Sequence, residues 1–401
     1  MSASPSLAQR VLSIPPSPTL AVNAKAKALK ATGADVLNFS VGEPDFDTPD
    51  HVKQGGRDAI EQGFTKYTPV PGIPELREAV VARLKEDHGW SYTADQVQVA
   101  CGGKHSLYNI CQALVDPGDE VLILAPYWVS YPPMVQLAGG TPVIVPLDET
   151  KNFDLDPLEL ARHVTPRTKG IILNSPSNPA GSLLSSAALE AVARMARVNG
   201  WFVVSDDIYE TMTYGDGPLP HILDLAPDLT DRVLLSNGVS KSFAMTGWRI
   251  GYTIGPEPVI KAMNKVQSHS TSNPSSIAQK AALAALAGPQ DFPRLMLEAF
   301  RPRRDFIISA LRSIAGVTCA EPMGAFYVFP NLSSYFGRKW RGKTLSGSLD
   351  LADYLLDEAL LATVPGVAFG VDSCIRFSFA TSMAVIEEGM ARLKNALSGL
   401  E

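Results

Sequence analysis

Apolar and polar positions follow two rhythms along the chain. From about residue 97 to residue 255, short apolar and β-rich runs recur: VQVA, EVLILA, TPVIVP, GIILN, WFVVSD, RVLLSN and RIGYTI. Longer helical stretches, such as 184–198, lie between them. Strand-length apolar runs spaced by helices predict an α/β fold whose mainly parallel sheet is covered by helices. The turns agree: DPGDE at 116–120 and AGGTP at 138–142 sit where a helix must stop and a strand begin.

After Gly288 the rhythm changes to a long helical stretch at 292–314, then strands near 325–329 and 374–379, then a last helix from Met383. This predicts a second, smaller α+β domain. The expected division is an N-terminal arm with part of the small domain at 1–48, a large domain at 49–290 and the small C-terminal domain at 291–401. The first 20 or so residues are Pro-rich and weakly patterned, and are expected to lie across a surface rather than form an element. No internal repeat or low-complexity tract is visible.

Composition narrows the function classes. A chain of 401 residues exceeds the size at which one core stops growing, which agrees with two domains. With 35 Lys plus Arg against 41 Asp plus Glu, the net charge of −6 repels phosphate backbones, so nucleic acid is not an expected partner. Cys101, Cys111, Cys319 and Cys374 have neither CxxC spacing nor nearby His ligands, which argues against disulfides and a metal site. The first residues lack the basic start and apolar stretch of an export signal, and no apolar run is long enough to cross a bilayer. A cytoplasmic setting is expected.

The strongest chemical signal is SNGVSKSFAMTGWRIGY at 236–252. Lys241 follows a β run and Arg249 precedes another, so the pair could address an aldehyde and a phosphate together. Imine chemistry needs a neutral amine, which burial or neighbouring positive charge would supply. Charge pattern alone allows two solvated loop cations just as well, but leaves the small residues around them unexplained.

This segment resembles the lysine region of the class I aminotransferases, which belong to fold type I of the pyridoxal-phosphate enzymes. The resemblance continues in order through VGEPDFDTP (41–49), KYTPVPGIPELR (66–77), GGKHSLYN (102–109), PYWVSYP (126–132), NSPSNPAG (174–181), VSDDIYE (204–210) and IRFSFA (375–380). It covers nearly the whole chain. Within the family the chain is most similar to the bacterial aspartate aminotransferase branch that includes prephenate aminotransferases. The resemblance implies pyridoxal 5′-phosphate held as an imine on Lys241, a ping-pong reaction between amino acids and 2-oxo acids, and a homodimer.

Residue by residue, it implies that Asp206 pairs with the pyridine nitrogen and that Tyr209 hydrogen-bonds the cofactor's phenolic oxygen. Taken alone, Asp206 reads as an N-cap or turn residue and Tyr209 as core. Gly103 and Lys104 lie between a strand and a helix, where bare N–H groups could hold a phosphate, although a tight turn also needs glycine. Arg249 and Ser240 would add to that phosphate site. Many relatives carry a serine where this chain has Gly238, so one phosphate hydrogen bond is expected to be missing.

Trp128 resembles the ring that stacks on the cofactor. Asn178 resembles the amide shared by cofactor and substrate carboxylate, and Arg376 the bidentate clamp on the α-carboxylate. Gly42 matches a glycine whose backbone meets substrate. Tyr67 matches a tyrosine that reaches the phosphate in the neighbouring subunit. Core packing, an Asn-Pro turn, an edge arginine, and a simple turn at Gly42 are the plainer readings of the first four.

Lys104, Ser17 and Thr19 match positions that bind the distal carboxylate of aspartate or glutamate, which implies aspartate with 2-oxoglutarate. Prephenate users also carry a lysine where this chain has Pro15, which ranks prephenate lower. Other donors, including glutamate, aromatic amino acids and alanine, stay open, as does a carbon–sulfur β-lyase on the same scaffold. A cofactor-sensing transcription regulator is disfavoured, because the resemblance starts near residue 17 and leaves no room for a DNA reader.

Overall fold

The computed structural model describes residues 5–16, 18–215 and 217–401, with the side chains of 18–20 excepted. Seven strands form the main sheet: β1 (Val97–Ala100), β2 (Glu120–Ala125), β3 (Thr141–Pro146), β4 (Thr168–Asn174), β5 (Phe202–Asp206), β6 (Val233–Gly238) and β7 (Gly251–Ile254). All seven apolar runs of the sequence are therefore strands. Their spatial order is β1-β7-β6-β5-β4-β2-β3. The four pairings from β6 across to β3 are parallel, and only β7 runs against its neighbours.

The inner strands are buried on both faces, which is why they read as unbroken apolar runs. Strand β3, at the edge, is partly exposed and carries Pro142 and Pro146, which blunts an open ladder. Helix Ser186–Asn199 shows how a covering element is specified. The Ser185 side chain caps its start by accepting from the Ala188 N–H, Gly200 ends it at φ 71°, and Ala188, Leu189, Val192, Ala193 and Ala196 face the core.

The second unit has a three-stranded antiparallel sheet in which β10 (Ile375–Ser378) lies between β9 (Val364–Pro365) and β8 (Tyr327–Val328). Helices Phe292–Arg312, Ser348–Ala359 and Met383–Ser398 accompany it. Its apolar core includes Phe326, Phe377, Phe379, Leu355 and Leu393, and also takes Tyr209, Met212 and Tyr214 from the chain just after β5. The main-sheet segment that follows Asp206 is thus anchored in the smaller unit's core.

The expectation of an elementless N-terminal segment is corrected. Helices form at Gln9–Leu12 and Pro18–Ala31. Proline is tolerated in the first turn of a helix because its missing N–H has no intrahelical partner there, so Pro18 marks a start. The strand pair Leu37–Asn38 with Leu361–Ala362 then ties this segment to the second unit. No helix among the described residues is long and apolar enough to cross a membrane.

Candidate active site

The carboxyl ends of five main-sheet strands converge on one cavity of about 370 Å³, where ligands commonly bind in open parallel sheets. Asn174 ends β4 and Asp206 ends β5. Gly103 and Lys104 follow β1, and Trp128 follows β2. Ser240 and Lys241 follow β6, while Arg376 and Tyr327 enter from the second unit.

Asp206 is 5% exposed, and its carboxylate accepts the Tyr131 hydroxyl at 2.5 Å. Burial pushes its pKa up to about 7; the Tyr131 hydrogen bond works against the rise, and neighbouring Asp207 adds to it. Lys241 is partly buried, and its amine donates to the Gly42 carbonyl. Burial lowers its pKa to about 8; Glu43 opposes the change while Arg376 and Arg249 reinforce it.

Arg376 is 3% exposed and has no carboxylate partner among the described residues. Its Nη1 donates to Asn178 Oδ1 at 2.9 Å and its Nη2 to the Ser40 carbonyl at 2.7 Å. Its Nε–H has no partner among the described residues. The guanidinium sits over the Tyr327 ring, 4.6 Å from the centroid. A buried fork of five N–H donors, of which two are used by Asn178 and Ser40, is built for a planar anion.

The same cavity holds a second anion cradle. Helix Gly103–Leu114 points its N-terminus into the cavity, with Gly102 before it at φ 89°. A Cβ on Gly102 would collide with the Arg249 guanidinium, and one on Gly251 would collide with the Gly103 amide. Main chain therefore forms the floor of the cradle, and helix N–H groups face the opening. Arg249 adds its charge from a left-handed φ of 58°, held by the Thr246 carbonyl at 2.9 Å. The Ser240 side chain also lines the cavity.

The structure brings Gly42, Gly103, Lys104, Trp128, Asn178, Asp206, Tyr209, Ser240, Lys241, Arg249 and Arg376 to this one cavity. The Lys104 amine lies over Trp128, 4.8 Å from the ring centroid. Tyr67 is not among the lining residues and is 92% exposed. Ser17 and the Thr19 side chain lie outside the described residues. At Gly238, a Cβ would meet the Gly251 Cα at 2.9 Å and the Ile250 carbonyl at 3.0 Å, so the backbone of β7 fills the space a serine would need.

Sequence reasoning passed over Tyr131, Asn174, Tyr327, Glu43 and Asn23, all of which line the cavity. Tyr131 and Asn174 stand inside motifs that had drawn attention for other residues. Tyr327, in an aromatic run, reads as core. No group of metal-ligating side chains occurs among the described residues.

Comparison with known proteins gives a consistent result. The family model described as aminotransferase class I and II matches residues 34–393. An aspartate aminotransferase of Geobacillus stearothermophilus is 46% identical over 96% of this chain and 98% of its own length. An aspartate/prephenate aminotransferase of Cereibacter sphaeroides is 47% identical over 98% of this chain and 99% of its own. Among solved structures, the aspartate aminotransferase of Rhizobium meliloti superposes with a TM-score of 0.95 at 42% identity, covering 99% of this chain and all of that one. That of Thermus thermophilus with maleate gives 0.91 at 43% identity, covering 98% of this chain and 100% of its own.

Proposed function

Because this chain belongs to the class I and II aminotransferases, we propose that it transfers the amino group of an L-amino acid, aspartate foremost, to 2-oxoglutarate, with pyridoxal 5′-phosphate in the cavity. One observation carries the reading. Asp206, Lys241 and Arg376 share a cavity, and none of the three forms an ion pair among the described residues. Charges removed from water without partners cost several kcal/mol each, at roughly the scale of buried ions in proteins. A ligand set offering an acidic ring N–H, a carbonyl and a carboxylate relieves all three.

The cradle at Gly103, Ser240 and Arg249 fits the cofactor's phosphate, Asp206 its ring nitrogen and Lys241 its aldehyde. When bound, pyridoxal phosphate supplies an electron sink for the electron pair left on the substrate α-carbon. The protein's part is positional and acid–base. Asp206 holds a positive N–H opposite its carboxylate. Lys241, with its pKa lowered to about 8, has a substantial neutral fraction near physiological pH, so Nζ takes up and returns the α-proton. Arg376 and Asn178 orient the α-carboxylate. Trp128 offers a flat face and Tyr209 a hydroxyl to the cofactor, and Gly42 brings its backbone to the cavity to meet the substrate.

Aspartate is favoured because the Lys104 amine stands at the cavity without a carboxylate partner among the described residues, available to a distal carboxylate, with Ser17 and Thr19 proposed beside it. The names of relatives such as the aspartate/prephenate aminotransferase of Cereibacter sphaeroides support prephenate as a second acceptor, against which Pro15 counts. Tyr67, exposed and away from its own cavity, supports a homodimer in which it serves the neighbouring site. The four free thiols fit a reducing cytoplasmic setting. Two of the apolar cores support a large-domain and small-domain division near that expected at residues 49–290 and 291–401, with Tyr209, Met212 and Tyr214 packed into the smaller unit's core.

The test is half-transamination. Purified protein loaded with pyridoxal phosphate is mixed with single amino acids, and conversion of the cofactor from aldehyde to amine form is followed by absorbance. Aspartate and glutamate should convert fastest. A fastest rate with an uncharged donor overturns the aspartate assignment, and release of pyruvate and ammonia from cystathionine would mark a β-lyase instead.

A further inference from the structure

Tyr327 stands where three parts of the site meet. Its side chain is 1% exposed, and its hydroxyl lies 3.0 Å from the hydroxyl of Tyr209. Its ring supports the Arg376 guanidinium at 4.6 Å. A Cβ on Gly42 would fall 2.7 Å from its hydroxyl oxygen, so the segment carrying Gly42 closes directly over it. Register explains the second contact: Tyr327 on β8 pairs with Ser378 on β10. Arg376 precedes Ser378 by two residues, on the same face of the sheet, which makes Arg376 and Tyr327 diagonal cross-strand neighbours.

The two hydroxyls have only each other as hydrogen-bond partners among the described residues. One proton is used between them, and the other is free for the cavity that both line. If Tyr209 directs its proton at a ligand oxygen, Tyr327 must donate to Tyr209, and hydrogen bonds chained in this way strengthen one another in a low-dielectric site. We propose that Tyr327 is a positioning residue that joins the carboxylate clamp to the cofactor-facing hydroxyl: its ring holds Arg376, and its hydroxyl orients and polarises Tyr209. This rests on the function proposed above. It assigns to one side chain of the smaller unit a share in both substrate binding and cofactor electronics.

Two variants separate the shares. Tyr327→Phe keeps the ring and removes the hydroxyl. Tyr327→Leu removes both. The readouts are the pH titration of the bound cofactor's visible absorbance and the affinity for maleate, a dicarboxylate with neither amino nor carbonyl group to react. Tyr327→Phe should shift the midpoint of the cofactor titration by about half a unit or more, and leave maleate affinity within about twofold. Tyr327→Leu should shift the midpoint similarly and weaken maleate about tenfold. A merely structural tyrosine would lower the thermal midpoint in both variants and move neither readout. A Tyr327→Phe titration that overlays the wild type overturns the inference alone. A wild-type protein with no borohydride-reducible chromophore overturns the proposed function, and the inference with it.

Discussion

Tyr131 donates its hydroxyl to the Asp206 carboxylate across 2.5 Å, and both side chains are buried. The bond favours the ionised form of Asp206 against the burial that pushes its pKa up to about 7. Tyr131→Phe therefore raises that pKa further and protonates more of Asp206 at neutral pH. Pyridoxal phosphate titrated into cofactor-free protein should bind about tenfold more weakly to this variant near pH 6.5 and almost normally near pH 9, the scale of one hydrogen bond to a charged group. An equal deficit at both pH values would contradict this role.

Lys241→Ala should yield protein with no chromophore that borohydride can reduce, and multiple-turnover activity lower by about 10⁴-fold or more, since it removes both the covalent anchor and the proton carrier. Substantial residual turnover would move the assignment to another amine. In the wild type, attack by the amine on an aldehyde should quicken with rising pH and level off above about 8, because burial lowers the Lys241 pKa to that value.

Arg376→Lys keeps the charge and loses the fork. Removing part of a buried, charge-assisted contact typically costs 2–5 kcal/mol, so kcat/KM for aspartate should fall roughly 30-fold to a few thousandfold. The visible spectrum of the bound cofactor should stay as in the wild type. A variant with normal kcat/KM would show that the α-carboxylate binds elsewhere.

Lys104→Ala should lower kcat/KM for aspartate by about 10- to 100-fold and leave alanine turnover unchanged, since only the dicarboxylate has a group for the amine to meet. Unchanged rates with both donors would remove Lys104 from the specificity site.

Gly102→Ala forces a side chain onto a φ of 89° and into the Arg249 guanidinium. Such strain costs about 1–3 kcal/mol. A lower thermal midpoint together with roughly tenfold weaker pyridoxal phosphate binding is expected, and wild-type affinity would show that the cradle tolerates displacement of Arg249.

Much of the architecture was legible because the main sheet is buried on both faces. Seven apolar runs, five of them ended by Gly, Pro or Asp, translate directly into seven strands. The smaller unit was harder. The strand expected near 325–329 forms at Tyr327–Val328, whereas the two-residue strand Val364–Pro365 is too short to show a period. Pro18 misled by composition, since a proline at a helix start resembles one in a loop until the first turn is seen.

For the site, charged residues were the easier class. Asp206, Lys241 and Arg376 stand out against apolar neighbours, whereas Tyr131 and Tyr327 resemble any other buried aromatic. Their roles arise only from what tertiary packing brings within reach of their hydroxyls. The backbone packing at Gly238 was likewise invisible, because a glycine in a motif does not reveal which strand fills the vacant space.

That packing limits how the site can evolve. Where Gly102 and Gly103 press on Gly251, and Gly251 on Gly238, the anion pocket has a base of peptide units alone. Single substitutions there have no side-chain volume to trade. In this chain, adjustment of anion affinity is therefore left to the side chains at the rim, Ser240 and Arg249.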